Sequence, residues 1–215
     1  MTTEPTVFVV DDDLAMRQSL VRLLESVKLK VATYPSAEAF LVAYHPSQPG
    51  CLVLDICMPG ISGLELQDRL LNDRVPIPII IMSAHGDVEK AVRAMKAGAV
   101  DFVKKPYNGK QLLACIRTAL ERDTALRRDA ARHAEAAARA EKLTPREREI
   151  MAMLVDGKPA KRIAFELGLS RKTVDVHRGH VMSKMQVESV LELARLAAAL
   201  IATDRARVGS SQPNL

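Results

Sequence analysis

The chain has 215 residues, of which 48% are hydrophobic, 27% charged and 3% aromatic, with no tryptophan. That length suits one large domain or two modest ones, and the apolar content suffices for packed cores, which excludes a disordered or fibrous chain. With so few rings the cores must be aliphatic, and an aromatic platform for stacking single-stranded bases is excluded.

No apolar run approaches the roughly 18–20 residues of a membrane span, and Met1–Pro5 lacks the basic-then-apolar order of a signal peptide. No membrane partner is expected. Cys51, Cys57 and Cys115 are odd in number and form no Cys-x-x-Cys pair, which points to reduced thiols in a cytoplasm rather than a disulfide framework or zinc site. The formal charge of +5 is uneven: residues 1–120 carry 13 Lys/Arg and 13 Asp/Glu, residues 121–142 carry 6 against 5, and residues 143–215 carry 12 against 8. A basic C-terminal third fits a polyanionic partner, but also an ordinary solvated surface.

In chain order, short β-branched runs predict buried strands at Thr6–Val10, Val31–Tyr34, Cys51–Leu54, Ile77–Met82 and Phe102–Val103. Helical stretches with apolar residues three and four apart lie between them, marked by Leu20, Leu23, Leu24 and Val27 in the first and Leu64, Leu66 and Leu70 in the third. Ser62-Gly63-Leu64-Glu65 has the form of a capping box, and Asp87 is a predicted N-cap for a helix from Val88 to Ala97 that Gly98 ends. Five strands alternating with helices predict an α/β fold, a parallel doubly wound sheet over residues 1–120.

Residues 121–142 are rich in alanine, arginine and acids, without glycine or proline. They predict a solvated helical linker continuing a helix that starts near Asn108, with a coiled-coil dimer contact as the alternative. After Leu143 the pattern is all-helical. Thr144-Pro145-Arg146-Glu147 orders an N-cap, a first-turn proline and an N3 glutamate. The helix it opens stops at Gly157; a second spans about Ala160–Leu167, a third runs from a Ser170 cap to about Met185, and a fourth covers about Val187–Ala202. This four-helix domain is expected over 143–203, with a frayed polar tail over 204–215.

In a doubly wound sheet the site lies beyond the C-terminal ends of the strands. There the first strand runs into Asp11-Asp12-Asp13, the third ends at Asp55, the fourth at Ser83-Ala84, and the fifth at Lys104-Lys105-Pro106. Carboxylates gathered at one edge repel one another unless a cation sits among them. Mg²⁺ suits Asp11, Asp12 and Asp55, with one backbone carbonyl such as that of Cys57. The plainer reading of the triplet is an acidic helix N-terminus.

Val-Asp-Asp-Asp (10–13), Leu-Asp-Ile-Cys-Met-Pro-Gly (54–60), Met-Ser-Ala-His (82–85) and Asp-Phe-Val-Lys-Lys-Pro (101–106) resemble the receiver domain of two-component response regulators, over about residues 5–120. The resemblance implies a flavodoxin-like fold and phosphoryl transfer from a sensor histidine kinase to Asp55. It implies that Asp11 and Asp12 hold Mg²⁺, that Lys105 contacts the phosphoryl group and Ser83 hydrogen-bonds it, and that small Ala84 leaves room for it. It further implies that Phe102 rotates on activation (ordinary core packing being the alternative), a cis Lys105–Pro106 bond, and phosphorylation-dependent dimerisation through the face near Val92, Met95 and Val100.

In the C-terminal third, Leu-Thr-Pro-Arg-Glu-Arg-Glu-Ile (143–150), Ile-Ala-Phe-Glu-Leu-Gly-Leu-Ser (163–170) and Lys-Thr-Val-Asp-Val-His-Arg (172–178) resemble the LuxR-type helix-turn-helix output domain. The order receiver, linker, LuxR-type domain is similar to that of the NarL/FixJ subfamily, which implies double-stranded promoter DNA and RNA polymerase as partners. Ile163, Leu167, Leu169, Val174, His177 and Val181 are expected to face the core. Lys161, Arg171, Lys172, Arg178, His180 and Lys184 are candidates for phosphate or groove contacts, and Thr173, Asp175, Val176 and Arg178 for reading bases. Val190, Leu191, Leu193 and Ala194 either form a dimer seam or close the core.

Two other readings compete with this one. An aspartate-nucleophile phosphatase of the haloacid-dehalogenase type needs a second acid two residues after Asp55, where Cys57 stands. A regulator of the same architecture that binds DNA without phosphorylation is disfavoured by the intact pocket. The expectation is therefore no enzyme beyond a receiver catalysing its own phosphoryl transfer and dephosphorylation.

Overall fold

The computed structural model describes residues 4–84 and 88–208. The chain divides after Arg127 into two compact units. The first is built on β1 (Thr6–Val10), α1 (Leu14–Ser26), β2 (Lys30–Tyr34), α2 (Ala37–Ala43), β3 (Gly50–Asp55), α3 (Gly63–Asn72), β4 (Ile79–Ser83), α4 (Val88–Lys96) and β5 (Asp101–Lys104). The strands form one parallel sheet in the order β2-β1-β3-β4-β5. This is the flavodoxin-like doubly wound arrangement, in which the strand order reverses beside β1 and opens a crevice at the strand ends.

The two-residue period of a strand divides the apolar residues between the faces. Phe8, Val10, Leu52, Leu54, Ile79 and Ile81 pack against Phe40 of α2, Leu66 and Leu70 of α3 and Ala94 of α4. Val7, Val9, Cys51, Val53, Ile80 and Met82 pack on the other face against Leu20 and Leu24 of α1 and against Leu112 and Ile116 of α5 (Gly109–Glu141). Central strands β1, β3 and β4 are therefore buried throughout, whereas no residue of edge strand β2 is fully buried. At roughly 1.5–3 kcal/mol for each fully buried large aliphatic or aromatic side chain, these two layers dominate the unit's stability.

Local signals set the element ends. Ser62 and Glu65 form the capping box at the start of α3, Thr144 and Glu147 form another at α6 (Pro145–Val155), and Gly98 adopts φ 88° after α4. The expected Asp87 cap and His85 lie outside the described residues.

The second unit contains α6, α7 (Ala160–Leu167), α8 (Arg171–Met185) and α9 (Val190–Val208). Ile150, Leu154, Ile163, Val174, Val181, Met185 and Leu193 form its core. Helix α9 departs from the sequence expectation at both ends. It begins three residues later, because Gln186 takes a left-handed turn (φ 54°) and Ser189 then accepts the Glu192 N–H at 3.2 Å. It also runs on to Val208, so five residues of the expected polar tail are helical; the sequence from Ala202 to Val208 holds no glycine or proline to stop it.

Candidate functional site

Three strand ends and one loop deliver the acidic pocket. Asp11 follows β1 directly and is 2% exposed, Asp55 closes β3 at 6%, and Ser83 closes β4 at 1%. The aspartate triplet divides its labour. Asp13 is the N-cap of α1, accepting from the N–H groups of Ala15 and Met16, which leaves Asp11 and Asp12 to the pocket. Arg17 donates to the carbonyls of Asp11 at 2.7 Å and Asp12 at 3.0 Å and pins the turn from below.

The ammonium of Lys105 stands between the buried acids, 2.7 Å from Asp11 Oδ2 and 3.0 Å from Asp55 Oδ1. Its backbone N–H donates to Ser83 O at 2.7 Å, and the Lys105–Pro106 bond is cis. One carboxylate oxygen from each of Asp11, Asp12 and Asp55 lies within 4.8 Å of the others. Burial pushes the Asp55 carboxyl above its usual range, and Asp11 and Asp12 add to this, while Lys105 opposes it only in part. For Lys105, burial works against the charge, but hydrogen bonds to Asp11 and Asp55 outweigh it and raise the group. Asp11 and Asp55 thus share one ammonium with Asp12 close by, and the oxygen-only donor set of the three acids is that of a hard divalent cation.

The surrounding candidates are in reach of the same edge. Cys57 and Ala84 are exposed in the loops after β3 and β4, and Phe102 is half-buried against the core on β5. Gly63 carries no chemical group for the site, yet it lets α3 begin directly against the Asp55 turn: a Cβ there would lie 2.1 Å from the Asp55 carbonyl oxygen.

In the second unit, α7, a left-handed Gly168 and the Ser170-capped α8 form a helix-turn-helix. Lys161, Arg171, Lys172, Asp175, Val176 and Arg178 are exposed and Thr173 is half-buried. The Thr173 hydroxyl lies 2.8 Å from Ser170 Oγ, so the cap already engages it. Two basic candidates lie beside Glu147. Lys184 sits 2.6 Å from Glu147 Oε2 and His180 Nδ1 lies 3.7 Å from Glu147 Oε1. Lys184 shares one side of α8 with His177, Val181 and Met185, a consequence of three- and four-residue spacing, and His180 stands beside that stripe with its side chain 60% exposed. Spacing on α8 carries this signal; the burial of Glu147, 3% exposed on another helix, does not appear in it.

Residues 7–117 match the family described as the response regulator receiver domain, and residues 141–197 match the LuxR family of bacterial regulatory proteins. Transcriptional regulatory protein FixJ of Bradyrhizobium diazoefficiens is 45% identical over 197 residues, which cover 92% of this chain and 96% of the relative. The chain is a two-component response regulator of the NarL/FixJ subfamily. Nodulation protein W of the same organism is 43% identical to this response regulator over 199 residues, covering 93% of the chain and 88% of the relative. Among solved structures, response regulator StyR superposes with a TM-score of 0.81 at 41% identity, covering 91% of the chain and 99% of StyR. Full-length FixJ from B. japonicum gives 0.57 at 43% identity, covering 94% and 99%. The response regulator therefore joins a receiver domain, which implies a histidine kinase partner, to a DNA-binding output domain that regulates transcription. Among the described residues no helix is long and apolar enough to cross a membrane.

Proposed function

We propose that Asp55 is the phosphoryl acceptor of this response regulator and that its modification controls DNA binding by the second unit. The observation that carries the reading is Lys105 held between Asp11 and Asp55 at 2.7 and 3.0 Å. An Asp55 carboxylate oxygen attacks phosphorus, forming an O–P bond as the N–P bond to the kinase histidine breaks. Lys105 and Ser83 then face the equatorial oxygens, where negative charge accumulates. Mg²⁺ held by Asp11, Asp12 and Asp55, with the Cys57 carbonyl, would supply neutralising charge there. Ala84 leaves space beside the group, and Phe102 is the aromatic that repacks as Ser83 moves. The receiver acts on its own aspartate and on no external substrate.

In this reading residues 1–120 receive the phosphoryl group, 121–142 link, 143–203 bind DNA and the rest is a tail, with the protein in the cytoplasm. The surface of α4 supports phosphorylation-dependent dimerisation: Val88, Val92 and Met95 are 72%, 46% and 45% exposed, an apolar patch that a second copy would cover. Lys161, Arg171, Lys172 and Arg178 supply the phosphate contacts, and Thr173, Asp175, Val176 and Arg178 face the bases of promoter DNA, where RNA polymerase is recruited.

Intact mass after incubation with acetyl phosphate, with and without Mg²⁺, tests the assignment. A Mg²⁺-dependent phosphoryl adduct on the native protein, absent from Asp55→Asn, is expected. An adduct persisting in Asp55→Asn moves the acceptor elsewhere, and no adduct under any condition favours DNA binding independent of phosphorylation.

A further inference from the structure

A second cluster of ligating side chains lies in the output unit, far in sequence from the acidic pocket. Glu147 on α6 and His177 and His180 on α8 each bring one ligand atom to within 4.8 Å of the others. The two histidines stand three residues apart and so project from one side of α8; their rings meet edge to face, with centroids 6.4 Å apart. Glu147 is fixed by its capping box, with Oε2 accepting the Thr144 N–H at 2.8 Å and the Lys184 ammonium at 2.6 Å.

That leaves Oε1 turned toward His180 Nδ1 at 3.7 Å. The gap is too long for a hydrogen bond. It is close to the roughly 3.3–3.5 Å between two atoms that bind one zinc-type ion tetrahedrally at ~2.0–2.2 Å. His177 Nδ1 is buried and has no hydrogen-bond partner among the described residues, an arrangement that is costly unless another group engages that ring.

We propose that Glu147, His177 and His180 form a site for a divalent transition-metal ion of the zinc type, with water completing the shell. Two imidazoles and a carboxylate select zinc, nickel or copper over magnesium and calcium, which prefer all-oxygen shells. The site is thereby chemically distinct from the Asp11/Asp12/Asp55 pocket. Lys184 occupies the other carboxylate oxygen and its charge moderates the affinity. An ion held here ties the first turn of α6 to the middle of α8, the helix that would enter the DNA groove, and stabilises the native output unit by mass action.

The test is a Co²⁺ titration of the full-length protein in excess Mg²⁺, which saturates the acidic pocket, followed by visible absorption and by competition with Zn²⁺. The variants are His180→Ala, whose side chain is 60% exposed and so a minor risk to folding, and His177→Gln. A Mg²⁺-resistant Co²⁺ spectrum of nitrogen and oxygen ligation, displaced by Zn²⁺ and weakened at least about tenfold in His180→Ala, is expected. Equal affinity in His180→Ala, thiolate-type charge-transfer bands from a cysteine site, or no Mg²⁺-resistant binding would each overturn the proposal.

Discussion

Lys184 Nζ lies 2.6 Å from Oε2 of Glu147, a carboxylate only 3% exposed that caps the neighbouring helix. The Lys184 ammonium, then the Thr144 N–H, hold the Glu147 carboxyl down to about 2. A group whose pKa is depressed on folding contributes stability above its unfolded value and loses it as pH falls through the folded value. The melting-temperature gap between the native protein and Glu147→Gln should therefore be full at pH 6 and shrink from about pH 4.5 toward pH 2. A gap constant across that window would show that the ion pair contributes nothing to the output unit.

The same pair separates two lysines that look alike in sequence. Lys172 is exposed on the outer side of α8, whereas Lys184 is engaged with Glu147. Lys172→Ala should reduce the slope of log affinity for DNA against log salt by about one, as for any lost phosphate contact. Lys184→Ala should leave that slope unchanged and lower the melting temperature. A slope change in Lys184→Ala of the same size would put its ammonium on the DNA.

At the acceptor turn, Gly63→Ala would drive a methyl group to within 2.1 Å of the Asp55 carbonyl oxygen, a backbone atom. Displacement of the turn should cost about 1–3 kcal/mol of stability and slow labelling by acetyl phosphate. Urea unfolding and the rate of adduct formation measure the two effects together, and native values for both would mean that α3 shifts freely.

A third lock lies at the opposite end of the sheet. Asp123, 1% exposed, accepts the Gly50 N–H at 2.9 Å and pairs with Arg127, whose fork donates to the carbonyls of Pro46, Ser47 and Gln48. Arg127→Ala would leave the acid buried without its cation, and a loss of about 2–4 kcal/mol in urea unfolding is expected. Arg127→Lys should recover little of it, because an ammonium cannot reproduce the planar fork. Full recovery by lysine would make the charge alone sufficient.

Most of the fold was legible because it rests on local rules. The β-branched runs, the three-and-four spacing and the capping boxes at Ser62 and Thr144 are properties of neighbouring residues, and they place all five strands and most helices to within about two residues. The acid, hydroxyl and lysine residues at the strand ends were legible for the same reason: in a parallel sheet every C-terminal end reaches one edge. The limits of α9 were less so, since a left-handed Gln186 and a helix running on to Val208 depend on weak propensities.

What the amino-acid order determined by itself is thus the doubly wound receiver, the helix-turn-helix and the roll of pocket residues, because periodicity and capping act over a few residues. The partners of each charge were decided only by tertiary structure. Lys105 faces Asp11 across 94 positions, Arg127 reaches carbonyls about 80 positions back, and Glu147 gathers Lys184 and His180 from another helix. No local pattern encodes those pairings, because they arise where separately formed elements pack and buried charge must find a partner.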